Sequence, residues 1–215
     1  MFKLSFLIVS YCFMSFVCVA GTLSIQVKSP DLKPLSNAIV WYISNDKSKT
    51  QPNYNNETIY IMDQQNKQFA PYVLAVPRGG KVTFPNSDSI KHHVYSFSAA
   101  KPFELKLYQG ASHQPLVFDK PGVVELGCNI HDWMLGYILV ADSSVIAKTN
   151  SLGQTSLLLP DAAGILYIWH PRFKQKNQPQ QYIINQEQPV EIIINQPLLP
   201  DLKGFGNTDK FDEYD

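Results

Sequence analysis

Cysteine is scarce in this chain of 215 residues, which contains three cysteines: Cys12, Cys18 and Cys128. The Cys-x-x-Cys-His pattern that attaches c-type haem is absent. A binuclear copper centre of the cytochrome oxidase kind would require a second cysteine close to Cys128, and the sequence has none there. A covalently attached c-type haem and a binuclear copper centre of that kind are therefore both excluded.

The chain also has no excess of positive or negative charge, because 18 Lys and Arg residues balance 18 Asp and Glu residues. The sequence contains no basic cluster of the kind that binds the phosphate backbone of a nucleic acid. It also lacks a glycine-rich phosphate-binding loop. We therefore expect neither a nucleic-acid partner nor a nucleotide cofactor.

Long hydrophobic runs are missing except at the start, where an apolar run covers 4–19 after a single basic residue, Lys3. The run is short for a membrane span, and it is followed by small residues before Gly21. This pattern predicts a cleavable signal peptide over 1–20, export to the periplasm and no stable membrane insertion after cleavage. Removal of this segment would leave Cys128 as the only thiol. A lone thiol in an oxidising compartment is either buried in the core or occupied by a ligand.

Short runs of alternating or β-branched apolar residues, separated by Pro and Gly, extend through the rest of the sequence. This pattern of short apolar runs between turn-forming residues predicts an all-β fold. The pattern changes after Val140, which predicts a first domain over 21–142 and an accessory β-strand region over 143–199 that resembles a smaller β-sandwich. We expect a flexible tail over 200–215. His170, which lies before Pro171 at a strand end, is interpreted as structural rather than as a metal ligand.

The most informative stretch is Cys128-x-x-His131-x-x-Met134, in which a thiol, an imidazole and a thioether lie within seven residues. These side chains, together with a second histidine, are the ligands of a type 1 copper site, where the methionine is a weak axial ligand. Upstream, His92 and His93 both begin a strand-like run. Either imidazole is chemically suitable as the missing ligand.

Two segments, Phe84-Pro85-Asn86 to His92-His93-Val94 and Cys128 to Ile138, resemble those of the cupredoxins, the type 1 blue copper proteins. The resemblance is to the plastocyanin and amicyanin kind, and to cupredoxin-like proteins labelled methylamine utilisation proteins. It implies a Greek-key β-sandwich holding one copper ion per chain that cycles between Cu(I) and Cu(II). In that family the first copper ligand is commonly the histidine of a His-Asn-Val sequence. The resemblance therefore implies His92 as the first ligand, and His93 is the alternative.

The resemblance also implies that an asparagine near the first ligand ties its loop to the cysteine-bearing segment. Asn86 or Asp88 is assigned that role, and an Asx turn capped by its own side chain is the alternative. Trp133 lies between two of the predicted ligands. It is expected to pack in the core, to shield the metal from water or to contact a partner, and the sequence does not choose among these roles.

These observations predict an exported type 1 copper protein that transfers single electrons to a redox partner, which is not identified, and that is not an enzyme. A periplasmic copper carrier or assembly factor is the first alternative. The second is a structural adaptor that copper stabilises.

Overall fold

The computed structural model describes residues 21–53, 57–110, 114–161, 163–185 and 188–201. The predicted signal peptide and nearly all of the predicted tail lie outside these residues. Apart from a short 3-10 helix at Lys47–Thr50, the regular secondary structure of the described residues consists of β-strands, which confirms the all-β prediction. None of the described residues forms a helix long and apolar enough to cross a membrane.

The strands are numbered in chain order. They are β1 (Gly21–Lys28), β2 (Ile39–Ser44), β3 (Ile59–Ile61), β4 (Asp63–Gln65), β5 (Gln68–Ala70), β6 (Val73–Pro77), β7 (Gly80–Thr83), β8 (His92–Ser96), β9 (Phe103–Tyr108), β10 (Leu116–Phe118), β11 (Gly122–Cys128), β12 (Leu135–Ala141), β13 (Ile146–Lys148), β14 (Gln154–Leu159), β15 (Gly164–Trp169), β16 (Gln180–Ile184) and β17 (Val190–Ile193).

A five-stranded sheet, ordered β6-β12-β11-β8-β9, lies at the centre of the fold and is called the central sheet. A smaller sheet, ordered β10-β7-β3, faces it, and a hydrophobic core fills the space between them. That core includes Val82 and Phe118 from the smaller sheet, and Leu126 and Ile138 from the central sheet. Burial of such side chains is worth about 1.5–3 kcal/mol each, so this interface holds the two sheets together.

The opposite face of the central sheet is buried as well. Successive residues of β12 alternate between two cores: Ile138 and Val140 belong to the first, whereas Tyr137 and Leu139 belong to a second. This two-sided burial explains why β12 is buried at every position after its first residue. A strand covered on both faces reads as a continuous apolar run rather than as an alternating one.

The second core is covered by two further sheets, ordered β13-β2-β15-β16 and β14-β1-β17, which together are called the second sandwich. β1 lies between β14 and β17, and β2 pairs with β13 and β15. The sequence-based division at residue 142 grouped β1 and β2 with the copper-site strands, whereas their pairing partners all follow residue 145. Strand periodicity indicates that a strand exists but does not indicate its partner.

His170 lies 4% exposed behind β15, and both of its ring nitrogens have partners. Nε2 lies 3.0 Å from the Ser36 carbonyl oxygen, and Nδ1 accepts a hydrogen bond from the Arg172 amide. Burial lowers the pKa of His170 to about 4, although the bond to Ser36 acts in the opposite direction. The ring is therefore neutral at pH 7.

We expect this buried imidazole to make the fold acid-sensitive. Between pH 6.5 and 4 the unfolded chain binds a proton at His170 that the folded chain does not, so the free energy of unfolding falls as the pH falls. The contribution is about 3 kcal/mol over that window. His170→Gln, which cannot titrate, should flatten the curve of unfolding free energy against pH in urea titrations. A variant curve as steep as that of the parent protein would contradict this expectation.

Candidate metal centre

β8 directs its first histidine into the fold and its second away from it. Side chains alternate across a strand, and the burial of β8 follows that rule, with His92, Val94 and Ser96 buried. His92 is fully buried, whereas His93 faces the other way and its Nε2 lies 3.0 Å from Glu104 Oε1. The strand therefore brings His92, and not His93, to the predicted ligand loop.

Cys128 is the last residue of β11 and lies beside Val94 of β8 in the ladder of the central sheet. The chain then reverses through a tight turn, in which the Met134 amide donates to the His131 carbonyl oxygen at 3.0 Å. β12 begins at Leu135 and pairs back along β11. The turn thus returns His131 to the end of the strand that carries the thiol.

One donor atom from each of His92, Cys128 and His131 lies within 4.8 Å of the others, so the cluster could bind one metal ion. Cys128 Sγ is 3.9 Å from His92 Nδ1 and 3.7 Å from His131 Nδ1. For a thiolate and an imidazole bound to one ion in a trigonal plane, bond lengths of about 2.3 and 2.0 Å give an S···N separation of about 3.7 Å. The donors are therefore spaced to share one ion, and a thiolate with two imidazoles is a donor set that suits copper.

Asp88 supports this cluster from behind His92. Its Oδ2 lies 2.7 Å from His92 Nε2, and the carboxylate also accepts hydrogen bonds from the amides of Asn66 and Lys67. Burial acts to raise the pKa of Asp88, but these hydrogen bonds outweigh it and lower the pKa below its usual value. An ionised carboxylate at Nε2 keeps the ring proton there, which leaves the Nδ1 lone pair directed at the cluster.

Asn86 has a different role from the one the resemblance implied. Its Nδ2 donates to the carbonyl oxygens of Ile90 and Tyr108, and its Oδ1 accepts from the Asp88 amide. These bonds close the loop before β8 and join it to the end of β9, rather than to the cysteine-bearing segment. Asp88 contacts the His92 ring, and Asn86 accepts a hydrogen bond from the Asp88 amide and so holds it in place.

No known family profile matches the chain, and no curated protein matches it. Among solved structures, it is similar to the reduced Cu(I) form of an amicyanin mutant (19% identity, 43% of this chain, 97% of that chain, TM-score 0.36). It is also similar to a purple cupredoxin from Nitrosopumilus maritimus (26% identity, 43% of this chain, 95% of that chain, TM-score 0.32). A third is a copper-containing nitrite reductase from Thermus scotoductus (20% identity, 54% of this chain, 28% of that chain, TM-score 0.38). The chain is similar to cupredoxins.

His131 lies between His92 and Trp133 at the cluster. Its ring centroid lies 4.9 Å from that of His92 and 5.4 Å from that of Trp133. Burial lowers the pKa of His131, and the neighbouring His92 lowers it further. The imidazole is therefore neutral at pH 7, which is the form that binds a metal ion. Trp133, which is partly exposed, covers the ring on its outer side.

Met134 is 1% exposed and belongs to the same hydrophobic core cluster as Cys128. The turn that begins at His131 places it immediately before β12. Its neighbour Asp132 is exposed. The structure thus brings together His92, Cys128 and His131 of the predicted ligands, and it places Met134 in the apolar shell around them.

We expect Asp88→Asn to weaken copper binding. The substitution removes the negative charge behind His92, and it places an amide group where backbone N–H groups need an acceptor. Loss of such an outer contact costs about 10–100-fold in metal affinity. The measurement is a competition titration against a copper chelator, with Asp119→Asn, in an exposed turn, as the matched control. Equal affinities for the two variants would show that the Asp88 contact does not support the site.

Proposed function

We propose that this protein is an exported type 1 copper protein that carries single electrons. His92, Cys128 and His131 would hold the copper, and Met134 would be the weak axial ligand. The observation that supports this most strongly is the pair of imidazole Nδ1 atoms within 3.9 Å of one buried thiol. When bound there, copper supplies a one-electron couple between Cu(I) and Cu(II).

The chain's own residues would keep the ligand positions the same in both oxidation states. β8, β11 and β12 are three neighbouring strands of the central sheet. His92 begins β8, Cys128 ends β11, and the short turn between β11 and β12 carries His131 and Met134. The Asp88 carboxylate fixes the His92 ring, and the surrounding core excludes water from the thiol. A site on rigid elements with supported side chains is preorganised for such a task.

Burial of the cluster also supports electron transfer over copper delivery. His92 is fully buried and Cys128 is 4% exposed. A carrier must pass its ion to another protein's ligands, which requires donors that the recipient can approach. Here the buried His92 and Cys128 side chains offer little such access. We therefore favour a resident copper ion, in a protein that is not itself an enzyme.

The test is voltammetry of the copper-loaded protein, coupled to its visible spectrum. We expect a reversible one-electron wave and repeated oxidation and reduction without loss of copper. His92→Gln and His93→Gln form a matched pair, since they are adjacent on β8 and face opposite ways. The first should abolish the wave, and the second should preserve it. Release of copper on reduction would contradict electron carriage and favour the carrier function.

A further inference from the structure

A cleft lies between the second sandwich and the central sheet. Trp41 of β2 lies opposite Tyr167 of β15 in the strand ladder, so the two side chains share one face of their sheet. Val123 and Leu139 of the central sheet line the cleft as well. The space has a volume of about 600 Å³ and is called the Trp41 cleft. Packed interiors leave few voids larger than a water molecule, so an opening of this size is a candidate binding site.

The wall that belongs to the second sandwich is aromatic. The rings of Trp41 and Tyr167 stack, with centroids 5.2 Å apart and an angle of 13° between their planes. Trp169, two residues after Tyr167 on β15, shares that face and is fully buried. Rings that pack on one another in this way are fixed in orientation, and they present flat apolar surface. The cleft is therefore shaped for a flat apolar ring.

An ion pair supplies polar groups to the same cleft. Lys176 Nζ lies 2.6 Å from Glu125 Oε2 and donates to the Tyr137 hydroxyl at 3.1 Å. An ammonium group has three N–H donors, so these two bonds leave one of them over. That N–H and Glu125 Oε1 have no partner among the residues that the structure describes. The pair thus offers one donor and one acceptor side by side.

The charges at the Trp41 cleft are already neutralised in pairs. Besides Glu125, the cleft is lined by the carboxylate of Asp142, which lies 3.2 Å from Arg78 Nε. A cationic ligand would compete with Lys176 or Arg78, and an anionic ligand would compete with the carboxylates. A hydroxyl group both donates and accepts, so it can bond to Lys176 and Glu125 without separating them. The cleft therefore favours a neutral ligand that carries a hydroxyl group.

We propose that the Trp41 cleft binds a neutral aromatic ring bearing a hydroxyl group. The ring would pack between the Trp41–Tyr167 stack and the side chains from the central sheet. Its hydroxyl would accept from Lys176 Nζ and donate to Glu125 Oε1. None of the four predicted copper ligands, all of which the structure describes, lines the cleft. Binding there does not depend on copper, so this proposal and the proposed electron carriage can fail separately.

The first test compares three probes of similar shape and different charge by isothermal titration calorimetry at pH 7. They are 2-naphthol, 2-naphthalenesulfonate and 2-naphthylmethylammonium, and the first is neutral because a phenol has a pKa of about 10. We expect 2-naphthol to bind about fivefold more tightly than either ion, which is the order of effect of disturbing one partly exposed ion pair. Amide NMR signals in 121–125 and 165–169 should shift. No saturable binding of 2-naphthol, tighter binding of either ion, or shifts centred elsewhere would overturn the proposal.

The second test blocks the cleft with a new side chain. Ala99 is exposed and lines the cleft, so Ala99→Trp should fill part of the space without disturbing the core. We expect saturable binding of 2-naphthol to be lost. The matched control, Ser151→Trp, adds the same side chain at an exposed position between β13 and β14, outside the cleft, and should leave binding unchanged. Equal affinities in the two variants would show that 2-naphthol does not bind in the cleft.

The third test changes the charge of the cleft. Lys176→Met keeps an unbranched side chain and removes the ammonium group, which leaves Glu125 without its cationic partner. We expect 2-naphthol to bind more weakly than it does to the parent protein, and 2-naphthylmethylammonium to become the tightest of the three probes. An order of affinities identical to that of the parent protein would contradict the role given to the Lys176–Glu125 pair.

Discussion

Cys128→Ser should abolish the intense visible band that we expect of the copper-loaded protein. That band arises from charge transfer between a thiolate and Cu(II), and a serine hydroxyl supplies neither the soft sulfur donor nor a negative charge at pH 7. Copper affinity should also fall, by more than the roughly 10–100-fold that loss of an outer contact costs. The measurements are the visible spectrum after addition of Cu(II) and a competition titration against a chelator.

Met134→Leu is the companion variant to Cys128→Ser. Leucine has a similar volume and no sulfur, so the core should tolerate it while the thioether proposed as the axial ligand is removed. We expect the visible band to persist but to shift. Retention of the intense band in Cys128→Ser would exclude a copper-thiolate site in this protein, and an unshifted band in Met134→Leu would exclude the axial role.

Leu139→Ala and Ile138→Ala should each lower the free energy of unfolding by about 2–5 kcal/mol. The two residues are adjacent on β12, both are at most 3% exposed, and they face different cores. Removal of either side chain leaves a cavity in a packed interior. Urea titrations followed by tryptophan fluorescence and by the copper band give both values.

The comparison between these two variants tests whether the central sheet is held from both sides. We expect the fluorescence and copper transitions to coincide in each variant, because β12 is shared by the two cores. If Leu139→Ala costs less than about 1 kcal/mol, or changes one transition alone, the second sandwich does not stabilise the copper-site sheet.

The cluster could be predicted in part because Cys128 and His131 lie three residues apart, where spacing alone carries the information. The role of Met134 as a ligand stays a prediction. The choice between His92 and His93 could not be made from residue type, since both are histidines. Alternation decides it in the structure: His92 shares the buried face of β8 with Val94, and His93 shares the other face with Tyr95. That signal was present in the sequence, but its use required knowledge of which face is buried.

The partners of β1 and the role of Asp88 could not be predicted from local patterns. β1 pairs with strands more than 120 residues away, and its alternation fits any half-buried position. Asp88 and Asn86 are two residues apart in one polar loop, so spacing does not tell which of them faces the imidazole. The stack of Trp41 on Tyr167 was also missed, because it joins two strands rather than two neighbours in sequence.

The pairing of β1 has a consequence for the order of folding. The strands that surround the metal centre all lie between residues 59 and 141, so they can associate as soon as that stretch is available. β1 must wait for β14 and β17, for example for Leu157 to meet Leu23. Contacts between such distant residues form slowly because loop closure is entropically costly. We therefore expect His92, Cys128 and His131 to come together while β1 still lacks its partners. The chain is most prone to aggregate during that interval.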